Sequence, residues 1–303
     1  MSAFSYIINF SLKTAQFMKK YKGELMNSIR LIVTDLDFTL LNEHFELSES
    51  TKEILSRILE SGVEFVPCSS RPLSEIPQWL RQQKKIHWIV TANGGLIVDN
   101  QTGETLVSNT LPASKAKALL TLAEPMNPHW SCLIEGHLHS HLAILDDRKA
   151  LKIAGSYLEN ILKNRIWESG KDFLDTLPDA QIAKIHFITS RDFPEKKQAL
   201  IDLLSQEKGI SLTSSHPSNL EILHPLANKG DAVRWVMQQL NCTPEEAVAC
   251  GDNANDLPML QAVYHSVAVA NATDEVLAMA RHHALSHRED GAAKMMEQLL
   301  GQA

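Results

Sequence analysis

Ile29-Arg-Leu-Ile-Val-Thr-Asp-Leu-Asp-Phe-Thr-Leu-Leu41 reads as a buried strand that runs directly into two aspartates and a threonine. Leu31, Ile32 and Val33 form a short apolar run, the pattern of a strand covered on both faces. Residues at i and i+2 of extended chain point the same way, so Asp35 and Asp37 can face one small volume past the strand end. Two carboxylates that close repel, and one tends to hold a proton unless a cation intervenes. A site needing one anionic carboxylate and one proton-carrying acid could use that asymmetry. The other reading is a plain strand end, with Asp37 and Thr39 capping the next turn.

Outward from this strand the order is regular. Ser48 to Leu59 reads as a capped helix ended by Gly62, and Val63 to Pro67 as a strand running into Cys68-Ser-Ser-Arg71. Glu75 to Gln83 is predicted helical, and His87 to Thr91 is predicted as a third strand ending in Ala92-Asn-Gly-Gly95. Strand, helix, strand, helix, strand is how a parallel sheet with crossover helices is built. Leu96–Asp99 and Glu104–Val107 read as a hairpin.

From about Leu111 the texture changes. Short alternating strands (Trp130–Ile134, His137–Leu145, Ala183–Thr189, Ile210–Ser214 and Asn219–Leu223) mix with helices at Ala113–Leu122, Arg148–Leu162 and Pro194–Glu207. That mixture predicts a separate α+β domain. The first pattern then resumes. Lys229–Leu240 is a helix, Ala247–Cys250 is a strand running into Gly251-Asp-Asn-Ala-Asn-Asp256, and strand and helix alternate to a last helix after Gly291. The expected fold is α/β, a doubly wound, Rossmann-like parallel sheet, with the second domain inserted. The boundaries are residues 1–26 as an extension, 27–110 and 225–303 as the core, and 111–224 as the insertion.

The 303 residues suffice for one or two domains. A formal charge of −7 with no basic tract argues against nucleic acid as a partner. No apolar run approaches the ~20 residues of a membrane span. Cys68, Cys132, Cys242 and Cys250 are scattered without a C-x-x-C, so the expectation is a reducing, cytoplasmic setting. Residues 1–25 carry their basic cluster after the apolar residues, unlike a signal peptide; an amphipathic helix or a leader before a start at Met26 is expected.

Ligands of open α/β sheets bind at the carboxyl ends of the strands, and the polar clusters sit there. They are Asp35 and Asp37, Ser69 and Arg71, and Asp252, Asn255 and Asp256, with Lys229 opening a helix. Asp35, Asp252 and Asp256 bring three negative charges, and a phosphate monoester adds roughly two. Lys229 offsets one, and a dication would offset two more. With no Cys or His among the ligands, a hard, oxygen-loving ion such as Mg2+ fits better than zinc.

In that order, Asp35-x-Asp37-x-Thr39, Ser69, Lys229 and Gly251-Asp252-x-x-Asn255-Asp256 resemble the haloacid dehalogenase superfamily of phosphohydrolases. Asn93-Gly94 and the large insertion before Lys229 resemble its Cof-type branch, which carries a C2 (C2B) α+β cap. The resemblance implies a Mg2+-dependent phosphatase acting on a small phosphorylated metabolite, a sugar phosphate or similar phosphomonoester. It implies Asp35 as nucleophile, Asp37 as acid and base, and Ser69 and Lys229 on the phosphoryl oxygens. Leu36, Ser70, Arg71, Asn93 and Asn255 join the phosphate and substrate set. Asp35, Asp37 through its carbonyl, Asp252 and Asp256 form the metal set. Rivals are a phosphotransferase or phosphomutase with the same intermediate, and a non-catalytic binding protein on this fold.

Two positions depart from the family pattern. Phe38 stands where glycine is usual, and Ser69-Ser70-Arg71 replaces Thr-Gly-Arg. His137, His139 and His141 share one strand face, either wet or metal-binding, while His282, His283 and His287 read as structural or surface and Cys68 as a buried small residue.

Overall fold

The computed structural model describes residues 29–141, 165–188, 194–215 and 219–301. The expected extension at residues 1–25, the helix at Arg148–Leu162 and the end of the His137–Leu145 strand lie outside the described residues.

Five parallel strands form the central sheet in the order β15-β14-β13-β1-β2. They are β1 (Leu31–Thr34), β2 (Glu64–Pro67), β13 (Ala247–Gly251), β14 (His265–Val269) and β15 (His282–Ala284). β1 lies in the middle, paired with β13 on one side and β2 on the other. All four of its residues are buried, as its uninterrupted apolar run requires. Alternate strand residues feed two separate cores. Ile32, Phe65 and Val248 pack against α1 (Glu49–Glu60) and α8 (Gly291–Leu300). Leu31, Val33, Val66 and Ala249 pack against α5 (Lys229–Leu240) and α6 (Leu257–Ala262). Helices therefore cover both faces, the doubly wound arrangement. α7 (Asp274–Met279) adds Val276 to the second core.

Local chemistry sets the helix ends. The Ser48 hydroxyl accepts the Thr51 amide at 3.0 Å to start α1, and Gly62 takes φ 83° just past its end. The Asn228 side chain accepts the Asp231 amide at 2.8 Å to start α5. The helix expected at Glu75–Gln83 is broken in two: a 3-10 turn at Leu73–Glu75, then only α2 (Gln78–Arg81). Pro77 is the cause, because the residue before a proline is pushed out of helical geometry, and Ile76 has ψ 133°.

The third expected strand of the parallel sheet takes a different role. β3 (Trp88–Thr91) meets the sheet through a single parallel bridge, Cys68 to Val90. It otherwise runs antiparallel to β4 (Leu96–Asp99), which pairs with β5 (Thr105–Ser108) as the hairpin pattern predicts.

A seven-stranded, mostly antiparallel sheet makes the second body, in the order β11-β12-β10-β7-β8-β9 with β6 beside β10. Its strands are β6 (Leu111–Pro112), β7 (His129–Ile134), β8 (His137–His141), β9 (Arg165–Trp167), β10 (Gln181–Ile188), β11 (Ser211–Thr213) and β12 (Asn219–Leu223). α3 (Ala113–Ala123) and α4 (Pro194–Leu204) cover one face, where Ile185, Phe187 and Ile222 form the core with Leu119 and Leu200. The other face carries polar side chains toward the ends of the central strands. Among the described residues no helix is long and apolar enough to cross a membrane.

Candidate active site

Asp35 sits one residue past β1, where its amide still bonds to the Cys250 carbonyl at 2.9 Å. Its carboxylate meets the Lys229 ammonium at 2.5 Å. The same ammonium reaches Asp256 at 2.6 Å, and the lysine is wholly buried. The second oxygen of Asp256 accepts the amides of Asp252 and Asn253 at 2.9 and 3.1 Å, folding the β13–α6 loop about that side chain. Asp252 accepts the Thr39 hydroxyl at 3.0 Å. Carboxylate oxygens of Asp35, Asp252 and Asp256 all lie within 4.8 Å of one another.

The charge balance of this cluster is unfavourable as it stands. Burial pushes the Asp35 carboxyl up to about 7 against the pull of Lys229, with Asp256 and Asp37 adding to the rise. Burial, then Asp256 and Asp35, push Asp252 up as well. Burial works to lower the Lys229 ammonium, but Asp256 and Asp35 outweigh it and hold it above its ordinary value. Three carboxylates around one ammonium leave a deficit of positive charge. The chemistry of the donors fits a hard dication. So does the Asn255 carboxamide oxygen, buried and without a hydrogen-bond partner among the described residues, which offers an acceptor to a metal-bound water.

Asp37 points elsewhere. Its carboxylate is held by the Arg71 guanidinium, with Nε at 2.9 and 3.2 Å and an Nη at 2.5 Å. The pair is partly exposed at the mouth of a cleft of about 400 Å3. The structure thus separates the two aspartates: one among the buried charges, one facing the opening.

Other expected site residues fall into two groups. Ser70, Arg71 and Asn255 line the cleft. Leu36, Ser69 and Asn93 are buried behind it. The Ser69 hydroxyl accepts the Arg71 amide at 3.2 Å. Asn93, left-handed at φ 57°, accepts the Asn255 side-chain NH2 at 3.0 Å. Gly94 beside it has φ 92°, and any Cβ there would strike the Asn228 carbonyl.

Among the described residues, the three alternating histidines of β8 belong to no cluster of possible metal ligands. His139 bonds to Glu168 at 2.8 Å and stacks on Phe173, and His141 stacks on Trp130. His287 is buried and bonds Asn271 at 2.8 Å. Cys68 is fully buried.

Sequence reading missed the second body's contribution. Lys184 on β10 and Glu221 on β12 are paired at 2.6 Å and nearly inaccessible. Lys184 also donates to the Ser70 carbonyl at 2.8 Å, while Glu221 accepts the Asn93 side chain. A buried bonded chain therefore runs from the second body through Asn93 to Asn255. Arg165, His186 and Asn219 face the same cleft. The available signal was two polar residues at period two in otherwise apolar strands, Lys184-x-His186 and Asn219-x-Glu221.

Phe38 also takes its place here. It adopts φ 60°, a region that costs a non-glycine residue about 1–2 kcal/mol. The Asn271 side chain donates to its carbonyl at 2.8 Å, and its ring packs edge-on against Phe45 and His287 at 5.5 and 5.7 Å.

The family model for haloacid dehalogenase-like hydrolases matches residues 32–296. Over 286 residues the chain is 27% identical to phosphatase YwpJ of Bacillus subtilis, covering 90% of this chain and 100% of that protein. It is 27% identical over 289 residues to 5-amino-6-(5-phospho-D-ribitylamino)uracil phosphatase YwtE of the same organism, covering 90% and 98%. A solved haloacid dehalogenase-like hydrolase from B. subtilis is similar with a TM-score of 0.79 at 24% identity, covering 89% of this chain and 99% of that one.

Proposed function

The chain belongs to the haloacid dehalogenase-like hydrolases and is a phosphatase of their Cof-type branch, and on that premise we propose a Mg2+-dependent enzyme that hydrolyses a small phosphorylated metabolite through a phosphorylated Asp35. The observation that carries this reading is the split environment of the two aspartates. Asp35 is buried against Lys229, while Asp37 is held at the cleft mouth by Arg71.

In the proposed reaction an Asp35 oxygen attacks phosphorus and the bond to the leaving oxygen breaks. Asp37 gives that oxygen a proton and afterwards takes one from the water that cleaves the acyl phosphate, releasing inorganic phosphate. Lys229 favours the Asp35 anion against the opposing effect of burial, aims it, and stabilises charge on the phosphoryl oxygens. Ser69, Ser70 and the Leu36 amide are assigned to the same oxygens. Arg71 aims Asp37 at the leaving group, keeping one carboxylate oxygen while the other comes free to carry the proton.

Asp35, the Asp37 carbonyl and Asp252 would hold Mg2+, with Asp256 and Asn255 setting its waters. The ion would neutralise phosphoryl charge and the crowded carboxylates. The region 111–224 acts as a cap that excludes bulk water. The relative YwtE is named for a small phosphorylated metabolite, which supports the substrate class.

The test is phosphate release from a panel of phosphorylated metabolites, with and without Mg2+, beside Asp35→Asn. Metal-dependent release that disappears in the variant is expected. Full metal-dependent turnover by Asp35→Asn would sink the mechanism, and isomer formation without net phosphate would point to a mutase.

A further inference from the structure

The aromatic pair at the cleft mouth calls for an explanation that the phosphoryl chemistry does not supply. Phe38 and Phe45 both line the cleft, and both are left-handed, at φ 60° and 62°. Left-handed positions are where a fold ordinarily accepts glycine or asparagine. Strain retained at a site entrance points to a role there.

Separate devices hold the two rings. The loop carrying Phe45 is tied by Asn42, whose side-chain oxygen accepts the amides of His44 and Glu46 at 2.9 and 3.1 Å. The loop carrying Phe38 is tied by Asn271. The Arg71 guanidinium lies 5.8 Å from the Phe45 ring centre while it grips Asp37. The rings therefore stand beside the carboxylate that must reach the leaving oxygen.

Two cationic side chains of the cleft wall are already bonded to neighbouring protein groups. Arg71 is committed to Asp37 and the Glu75 carbonyl, and Lys184 to Glu221 and the Ser70 carbonyl. A sugar with several hydroxyls would have to compete for them. A flat ring needs only a face to lie against.

We propose that Phe38 and Phe45, whose rings meet edge to face at 75°, form an aromatic platform that offers the leaving group one ring face and one ring edge, and that the substrate carries a planar unsaturated ring, aryl or heterocyclic, linked to its phosphate. This rests on the phosphatase reading and narrows its substrate class.

The test measures binding and turnover separately. Calorimetry on Asp35→Asn gives Kd for pyridoxine 5′-phosphate and for glucose 6-phosphate, and the wild-type enzyme gives kcat/KM for both. The ring-bearing compound is expected to be favoured at least tenfold in each. Phe45→Leu and Phe38→Gly, the latter suited to its backbone, are each expected to cut that preference about tenfold, and Phe45→Tyr to keep it. Equal or better binding of glucose 6-phosphate, or a preference unchanged within twofold in both ring-deleting variants, overturns the platform. If sugar phosphates are hydrolysed best while Asp35→Asn is dead, the phosphatase reading stands and the platform falls. If pyridoxine 5′-phosphate binds with that preference but no compound is turned over, the platform stands and the hydrolytic reading falls.

Discussion

Lys229 is a lysine with no access to water, held between two carboxylates at 2.5 and 2.6 Å. Removing one partner of a buried ion pair leaves the other uncompensated, at a cost of about 3–5 kcal/mol. Lys229→Met is therefore expected to lower the urea midpoint of unfolding and to abolish phosphate release. An unchanged midpoint would mean that the carboxylates do not depend on the lysine. Arg71 invites a gentler test, because it positions Asp37 rather than neutralising a buried cluster. Arg71→Lys keeps the charge but loses the paired contact. A fall in kcat of about tenfold or more is expected, since misplacement of an acting group is costly. At this scale much was legible in the sequence. Asp35, Asp252, Asp256 and Lys229 each lie at a strand or helix end, and the parallel sheet brings those ends together. Glu221 was only half legible: its place at period two with Asn219 in an apolar strand marks a polar face, but only the fold brings that face against Asn93.

The elements that present these side chains meet with little room to spare. An added Cβ at Gly251 would lie 2.5 Å from the Asp256 Cβ, inside any real contact distance. Gly251→Ala is expected to push Asp256 off Lys229 and reduce phosphate release at least tenfold, with far-UV circular dichroism unchanged. Retained activity would show that the β13–α6 loop has slack. At Gly230 a Cβ would meet the Pro258 carbonyl carbon at 2.7 Å, so α5 and α6 approach closely beside the same cluster. Most elements were readable from periodicity and capping, as Ser48 and the β1 run illustrate. The failures have local causes. Pro77 truncates a helix whose apolar pattern looked longer, and β3 leaves the parallel ladder after one bridge because it pairs with its own hairpin. Periodicity reports burial, and burial is the same on either side of a strand's choice of partner.

Across the whole molecule, protonation should act on stability through buried and half-buried imidazoles. Burial holds His265, His282 and His287 below the ordinary value of 6.5. Their folded values lie under the unfolded one, so their contribution is complete above about pH 7 and is lost as pH falls through the folded values. His265 and His282 stack with nitrogens 3.3 Å apart, so charging both adds repulsion. The raised Asp35 and Asp252 act in the opposite sense, gaining stability as pH falls, so the histidine effect must be read as a difference. A His265→Gln, His282→Gln variant is expected to track wild-type Tm with a constant offset above pH 7. Below pH 6.5 it should gain on wild type; a constant offset down to pH 5 would refute the assignment.

The Lys184–Glu221–Asn93–Asn255 chain crosses between the two bodies of the protein. One end of the bonding behind the proposed reaction centre is thus anchored in the second body. Engineering by exchange is constrained accordingly. A foreign insert grafted between residues 110 and 225, without a lysine and a carboxylate at matching strand positions, would leave Asn93 and the Ser70 carbonyl without these partners. Such a graft is expected to weaken phosphate release until those two residues are restored, so the unit that can be moved between relatives is larger than the insert itself.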